Sequence, residues 1–197
     1  IAKMGFRVYR LSISWSRIYP KGNESKPNQL GLDHYLNVFK ECRKYNIEPL
    51  VTINHFDIPM YLVDEYGGWK NRQMIDFYLK FTETLFNHYK DHVKYWLTFN
   101  EINMVLHFPF VATGLTFNPE DNREQITTDV IHHQLVASSK ATQLAKQINP
   151  DFQIGCMLAA GSYYAQTPRP EDVWKSIQDS RESYMFSDVQ VRGSYPN

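Results

Sequence analysis

Four apolar runs, Phe6 to Ser14, Ile47 to Asn54, Val93 to Phe99 and Phe152 to Ala159, alternate with amphipathic stretches of helical period. This alternation constrains the fold more than any other feature of the chain. Short runs rich in β-branched and aromatic residues have strand character. After the first run, Leu32, Tyr35, Leu36 and Phe39 recur at i, i+3, i+4, i+7, and Ile75, Leu79, Thr82, Leu85, Phe86 and Tyr89 keep a similar stripe after the second. A third helix is expected from Gln125 to Gln147, burying Ile131, Leu135, Ala141, Leu144 and Ala145. A fourth is expected after Pro170, a residue suited to a first helical turn, and carries Val173, Trp174 and Ile177. Strand and helix in strict alternation argue an α/β protein with parallel pairing. The strands are spaced more widely than a minimal βα unit needs, which places the excess in loops at their carboxyl ends, where active sites are built.

Composition narrows the class. With 197 residues, 43% of them hydrophobic and 15% aromatic, the chain can bury a sizeable core and reads as one domain or part of one. Lys plus Arg and Asp plus Glu both count 21, so no charge excess points to nucleic acid or to an anionic membrane. No apolar run reaches spanning length. The start, Ile1-Ala2-Lys3-Met4-Gly5-Phe6, has neither an initiator Met nor a signal-peptide layout and reads as the middle of an element. Cys42 and Cys156 lie in helical and strand-like segments without metal or redox spacing, which suggests a reducing compartment. Neither a phosphate-binding Gly-rich loop nor a dinucleotide fingerprint is present, so no nucleotide chemistry and no cofactor is expected. Pro20-Lys21-Gly22-Asn23-Glu24 and Tyr66-Gly67-Gly68-Trp69 are turn signals inside βα loops and not domain boundaries.

The candidate chemistry sits where apolar runs end in polar residues. Trp96-Leu97-Thr98-Phe99 stops at Asn100-Glu101; alone this pair reads as a helix cap, but at the carboxyl end of a parallel strand it faces a ligand crevice. A carboxyl group beside an apolar wall there can serve as a general acid. His55-Phe56-Asp57 ends the preceding run, and His55 is open to a structural or a ligand-contacting role. Arg10 lies among apolar residues, an expensive place for a guanidinium without a carboxylate or similar partner. His132 and His133, adjacent on a helix, point about 100° apart and cannot chelate one metal, so no metal site is expected. Trp15 and Trp96 read as core, whereas Trp69, in a loop, is a candidate sugar-stacking platform.

Arg10-Leu11-Ser12-Ile13-Ser14-Trp15-Ser16-Arg17-Ile18-Tyr19-Pro20, Ile47-Glu48-Pro49-Leu50-Val51-Thr52 with His55-Phe56-Asp57-Ile58-Pro59, Tyr66-Gly67-Gly68-Trp69, and Thr98-Phe99-Asn100-Glu101 together resemble glycoside hydrolase family 1, in order and spacing, over essentially the whole chain. The resemblance implies a (β/α)8 TIM barrel that hydrolyses β-glycosides with retention. Residues 1–197 would be a partial barrel of about strands two to five with their helices, lacking the first strand and strands six to eight. It makes Glu101 the acid/base and Asn100 the group that hydrogen-bonds the sugar 2-hydroxyl. His55 would contact the same sugar, and Arg10 would lie beside the nucleophilic glutamate and favour its ionised form.

The departure from the family pattern is a loss of parts. Retaining hydrolysis needs two carboxyl groups about 5 Å apart, and the seventh-strand signature that supplies the nucleophile is not in this sequence. The segment by itself is therefore expected to be inactive. Its unpaired strand edges predict that it aggregates, packs loosely, or pairs with another copy as a homo-oligomer. Asn100-Glu101-Ile102-Asn103-Met104, Cys156-Met157-Leu158-Ala159-Ala160-Gly161 and Pro170-Glu171-Asp172-Val173-Trp174 are similar to bacterial 6-phospho-β-glucosidases. That subgroup implies a 6-phospho-β-glucoside as small-molecule substrate and a cytoplasmic location. The alternatives are part of an unphosphorylated β-glucosidase or β-galactosidase, and an inactive remnant acting only in binding.

Overall fold

A computed structural model describes residues 2–196. Its centre is a sheet of four parallel strands in the order β1 (Val8–Ser12), β2 (Glu48–Asn54), β3 (Tyr95–Phe99) and β4 (Gln153–Gly155). Each strand adds beside its predecessor, the order of consecutive strands in a (β/α)8 barrel. The helices are α1 (Trp15–Ile18), α2 (Gln29–Lys44), α3 (Met60–Tyr66), α4 (Met74–Tyr89), α5 (Pro109–Thr113), α6 (Arg123–Ile148) and α7 (Pro170–Arg192). The long ones, α2, α4, α6 and α7, follow the four periodic stripes. The short α1, α3 and α5 lie in the loops after β1, β2 and β3.

Local chemistry fixes the helix ends. Asn122 caps α6, its side chain accepting the Gln125 N–H at 3.2 Å. Pro170 occupies the first turn of α7 with Glu171 and Asp172, which suit the positive end of the helix dipole, and Gly193, at φ 73°, closes it with an N–H to the Val189 carbonyl.

The core is aromatic. Trp15 stacks on Phe81 at 5.1 Å between centroids, Tyr78 stacks on Phe99 at 4.6 Å, and Phe86 meets Trp96 edge-on at 5.1 Å. These contacts seat α4 against the loop after β1 and against β3. Burial falls off from the inner strands to the outer ones: Val51, Thr52, Ile53 and Asn54 of β2 are buried, while no residue of β1 or β4 is.

Two strands are shorter than their apolar runs. The first ends at Ser12, because Ser14 leaves the ladder to cap α1 by accepting the Arg17 N–H. The fourth pairs only from Gln153 to Gly155 instead of reaching Ala159. Past Gly155 the backbone groups of Met157 and Ala159 are engaged by the turn that follows β3 and not by a strand.

Candidate active site

Parallel register brings the carboxyl ends of three strands level. Ser12 stands opposite Thr52, and Asn54 opposite Phe99. The ladder is carried one step further by the Asn100 N–H, which donates to the Asn54 carbonyl at 2.9 Å. Behind it the exit of β3 is held from the helix side. The Tyr78 hydroxyl donates to the Thr98 carbonyl at 2.6 Å, and the Thr98 and Ser138 hydroxyls share a hydrogen bond at 2.8 Å. Burial pushes the Tyr78 phenol well above its ordinary titration range, so it remains a donor.

On this platform the side chains form one chain of hydrogen bonds. Arg10 Nε and Nη2 both donate to Thr52 Oγ1 at 3.1 Å, and Nη2 also donates to Asn100 Oδ1 at 2.7 Å. A guanidinium offers only donors, so it fixes which end of the Asn100 amide faces it. The Asn100 Nδ2 is thereby turned to Glu101, meeting Oε2 at 3.3 Å. Arg10 thus orients Asn100, and Asn100 addresses the carboxylate.

His55 stands at the same mouth. Its titration is pushed below the ordinary 6.5, first by burial and then by the Arg10 guanidinium, with Glu101 pulling the other way. Arg10, Asn100 and Glu101, separated by up to 91 positions in sequence, are thus joined by hydrogen bonds, and His55 lies within reach of the charges of Arg10 and Glu101. Two residues of this rim have left-handed backbone, Phe56 at φ 60° and Glu101 at φ 38°. Such conformations cost about 1–3 kcal/mol each in a residue with a Cβ, and they cluster where function demands them.

Other expectations are corrected here. Among the described residues Arg10 bonds the neutral Thr52 and Asn100, and none of their ion pairs includes it. The sequence does not identify Thr52 as its partner, because that pairing depends on the β1–β2 register. Trp69 is no surface platform: it is fully buried, edge-on to Tyr78 and Phe99. The turn that tucks it in requires Gly68, at φ 58°, where a Cβ would stand 2.8 Å from the Thr113 carbonyl oxygen. His133 Nδ1 bonds the Trp69 carbonyl at 2.9 Å, and His132 Nδ1 shares a hydrogen bond with the Tyr195 hydroxyl at 2.8 Å. Both histidines have structural partners. Asp57 accepts from Ser16 at 3.1 Å, so Glu101 is the one carboxylate in the hydrogen-bonded chain.

Comparison with known proteins bears on the family and the fold. The model of glycosyl hydrolase family 1 matches residues 1–197. The 6-phospho-beta-glucosidase AscB of Escherichia coli is 52% identical over 196 residues, covering 100% of this chain and 41% of the relative. The aryl-phospho-beta-D-glucosidase BglH of Bacillus subtilis is 49% identical over 195 residues, 99% of this chain and 42% of its own length. The structure superposes on the family 1 β-glucosidase of Thermotoga maritima with a TM-score of 0.87 at 31% identity, covering 100% of this chain and 44% of that one. The chain thus spans about two fifths of the length of the curated relatives it matches, and its fold is part of their TIM barrel.

The electrostatics of the rim have a measurable sign. In an NMR titration of the full-length protein His55 should have a midpoint below 6.5. A histidine depressed in the folded state contributes stability that is complete above its unfolded value and is lost as pH falls through the folded midpoint. Arg10→Gln should move that midpoint up, and Glu101→Gln should move it further down. A midpoint indifferent to both substitutions would show that the three groups do not share a site.

Proposed function

The chain belongs to glycosyl hydrolase family 1, and on that footing we propose that it is the acid/base portion of a retaining 6-phospho-β-glucosidase. In this reading it supplies barrel strands two to five of a single catalytic domain. The observation that carries the proposal is the chain Thr52–Arg10–Asn100–Glu101 across the ends of three adjacent parallel strands. Such a device holds one carboxyl group at the mouth of a barrel, where the family's chemistry takes place.

In the proposed reaction Glu101, protonated, gives its proton to the glycosidic oxygen while a second carboxylate attacks the anomeric carbon and the bond to the leaving group breaks. Glu101, now ionised, takes a proton from water, whose oxygen displaces the enzyme carboxylate from the sugar. Asn100 stabilises the 2-hydroxyl, His55 contacts the same sugar, and Arg10 serves both by orienting Asn100 and by lying close to the negative charge of the nucleophile. The second carboxylate comes from outside residues 1–197, so this segment alone is inactive. Its exposed outer strands favour aggregation or pairing with another copy.

The phosphorylated substrate is supported by AscB and BglH, both named for phospho-β-glucosides; the β-glucosidase of T. maritima supports the unphosphorylated alternative at lower identity. A sugar phosphorylated on entry would be cleaved in the cytoplasm, where the free Cys42 and Cys156 are at home. Among the described residues no helix is long and apolar enough to cross a membrane.

Two kinetic experiments on the full-length protein test this. Glu101→Gln should cost about 10²–10⁴-fold in kcat/KM on glycosides with poor leaving groups and far less on activated aryl glycosides, because only the former need the proton. Equal losses on both would argue against the acid/base role. Comparison of 4-nitrophenyl β-glucoside with its 6-phosphate should favour the phosphorylated sugar strongly, since an empty anion site forfeits charge-assisted hydrogen bonds. Preference for the unphosphorylated sugar would select the alternative.

A further inference from the structure

Glu101 begins a 3-10 turn, Ile102–Leu106, that carries the chain away from the sheet. Its left-handed backbone, φ 38° and ψ 58°, is one a residue with a Cβ leaves unless its surroundings hold it. On the upstream side Asn100 is held by the Asn54 carbonyl and by Arg10. On the downstream side the β3–β4 ladder has already ended, at Leu97 opposite Gly155.

What joins the two strand exits beyond that point is a pair of links. The Ile102 N–H donates to the Met157 carbonyl at 3.2 Å. The Asn103 amide then clasps the backbone of Ala159 on both sides of its Cα: Nδ2 donates to the Ala159 carbonyl at 2.8 Å, and Oδ1 accepts the Ala159 N–H at 3.0 Å. A side-chain amide has the donor and acceptor of a peptide group, so it can stand in for a ladder residue where the backbone has turned away. Asn103 is only 3% exposed, which leaves its amide little access to water in place of Ala159.

We propose that Asn103 is a positioning residue that keeps the Glu101 carboxyl where it reacts, by clasping the segment that leaves β4. Its side-chain amide is engaged with Ala159. The inference rests on the acid/base role of Glu101. When the clasp opens, the turn is free to relax toward ordinary backbone angles, and the carboxyl group two residues upstream moves with it.

The test uses the full-length protein, with Asn103→Ala and Glu101→Ala made singly and together, assayed on one activated aryl glycoside and one glycoside with a poor leaving group. Misplacing a catalytic group by about 1 Å costs on the order of 10²-fold. Asn103→Ala should therefore lower kcat/KM about 10- to 100-fold on the poor leaving group and much less on the activated one. In the Glu101→Ala background it should add nothing, because there is no carboxyl left to place.

A loss of equal size on both substrates, or one that persists undiminished in the Glu101→Ala background, is what a merely structural residue gives and overturns the inference. Glu101→Ala that itself lacks leaving-group dependence removes the acid/base role, and the inference with it. If Asn103→Ala does not fold, Asn103→Asp, which has the same shape and keeps the Oδ1 acceptor while losing the Nδ2 donor, should show the same leaving-group signature; its absence also overturns the inference.

Discussion

The site depends on one directional constraint, the donor-only character of Arg10. A guanidinium that already gives two hydrogen bonds to Thr52 can meet Asn100 only at its oxygen. That fixes the amide with its nitrogen toward Glu101. Were the neighbour a lysine, the planar fork that spans Thr52 and Asn100 together would be lost. The interaction exists because parallel register sets Arg10 opposite Leu50 and Ser12 opposite Thr52, so that side chains of adjacent strands reach one another at the sheet's carboxyl edge.

The rest of the structure is the support for that edge. Aromatic stacking of Trp15 on Phe81 and Tyr78 on Phe99 fixes α4 behind the sheet, and the Tyr78 hydroxyl, held protonated by burial, ties the helix to the last residues of β3. A rigid rear face lets the front carry unfavourable backbone at Phe56 and Glu101. The turn after β3 leaves the sheet where strand pairing ends, and hydrogen bonds to Met157 and Ala159 replace the missing ladder.

Much of this was legible in the sequence. Long helical stripes and apolar runs are local patterns, so the four strands and four long helices could be read; polar residues at strand ends marked His55, Asn100 and Glu101, and a guanidinium inside an apolar run marked Arg10. What failed was non-local. The run from Phe152 stays apolar to Ala159, yet strand pairing stops at Gly155, because the groups that compete for its backbone lie some fifty residues earlier. Trp69 looked exposed beside two glycines, but Gly68 provides the close approach that buries it. The partner of Arg10 depends on cross-strand register, which no spacing in a single sequence reveals.

The most direct test of the account is a crystal structure of the full-length protein with a bound, non-hydrolysable 6-phospho-β-glucoside analogue. It should place a Glu101 oxygen about 2.6–3.2 Å from the atom that replaces the glycosidic oxygen. The Asn100 amide should reach the 2-hydroxyl while still accepting from Arg10. A sugar seated with Glu101 turned away from the scissile position, or with Asn100 released from Arg10, would contradict it.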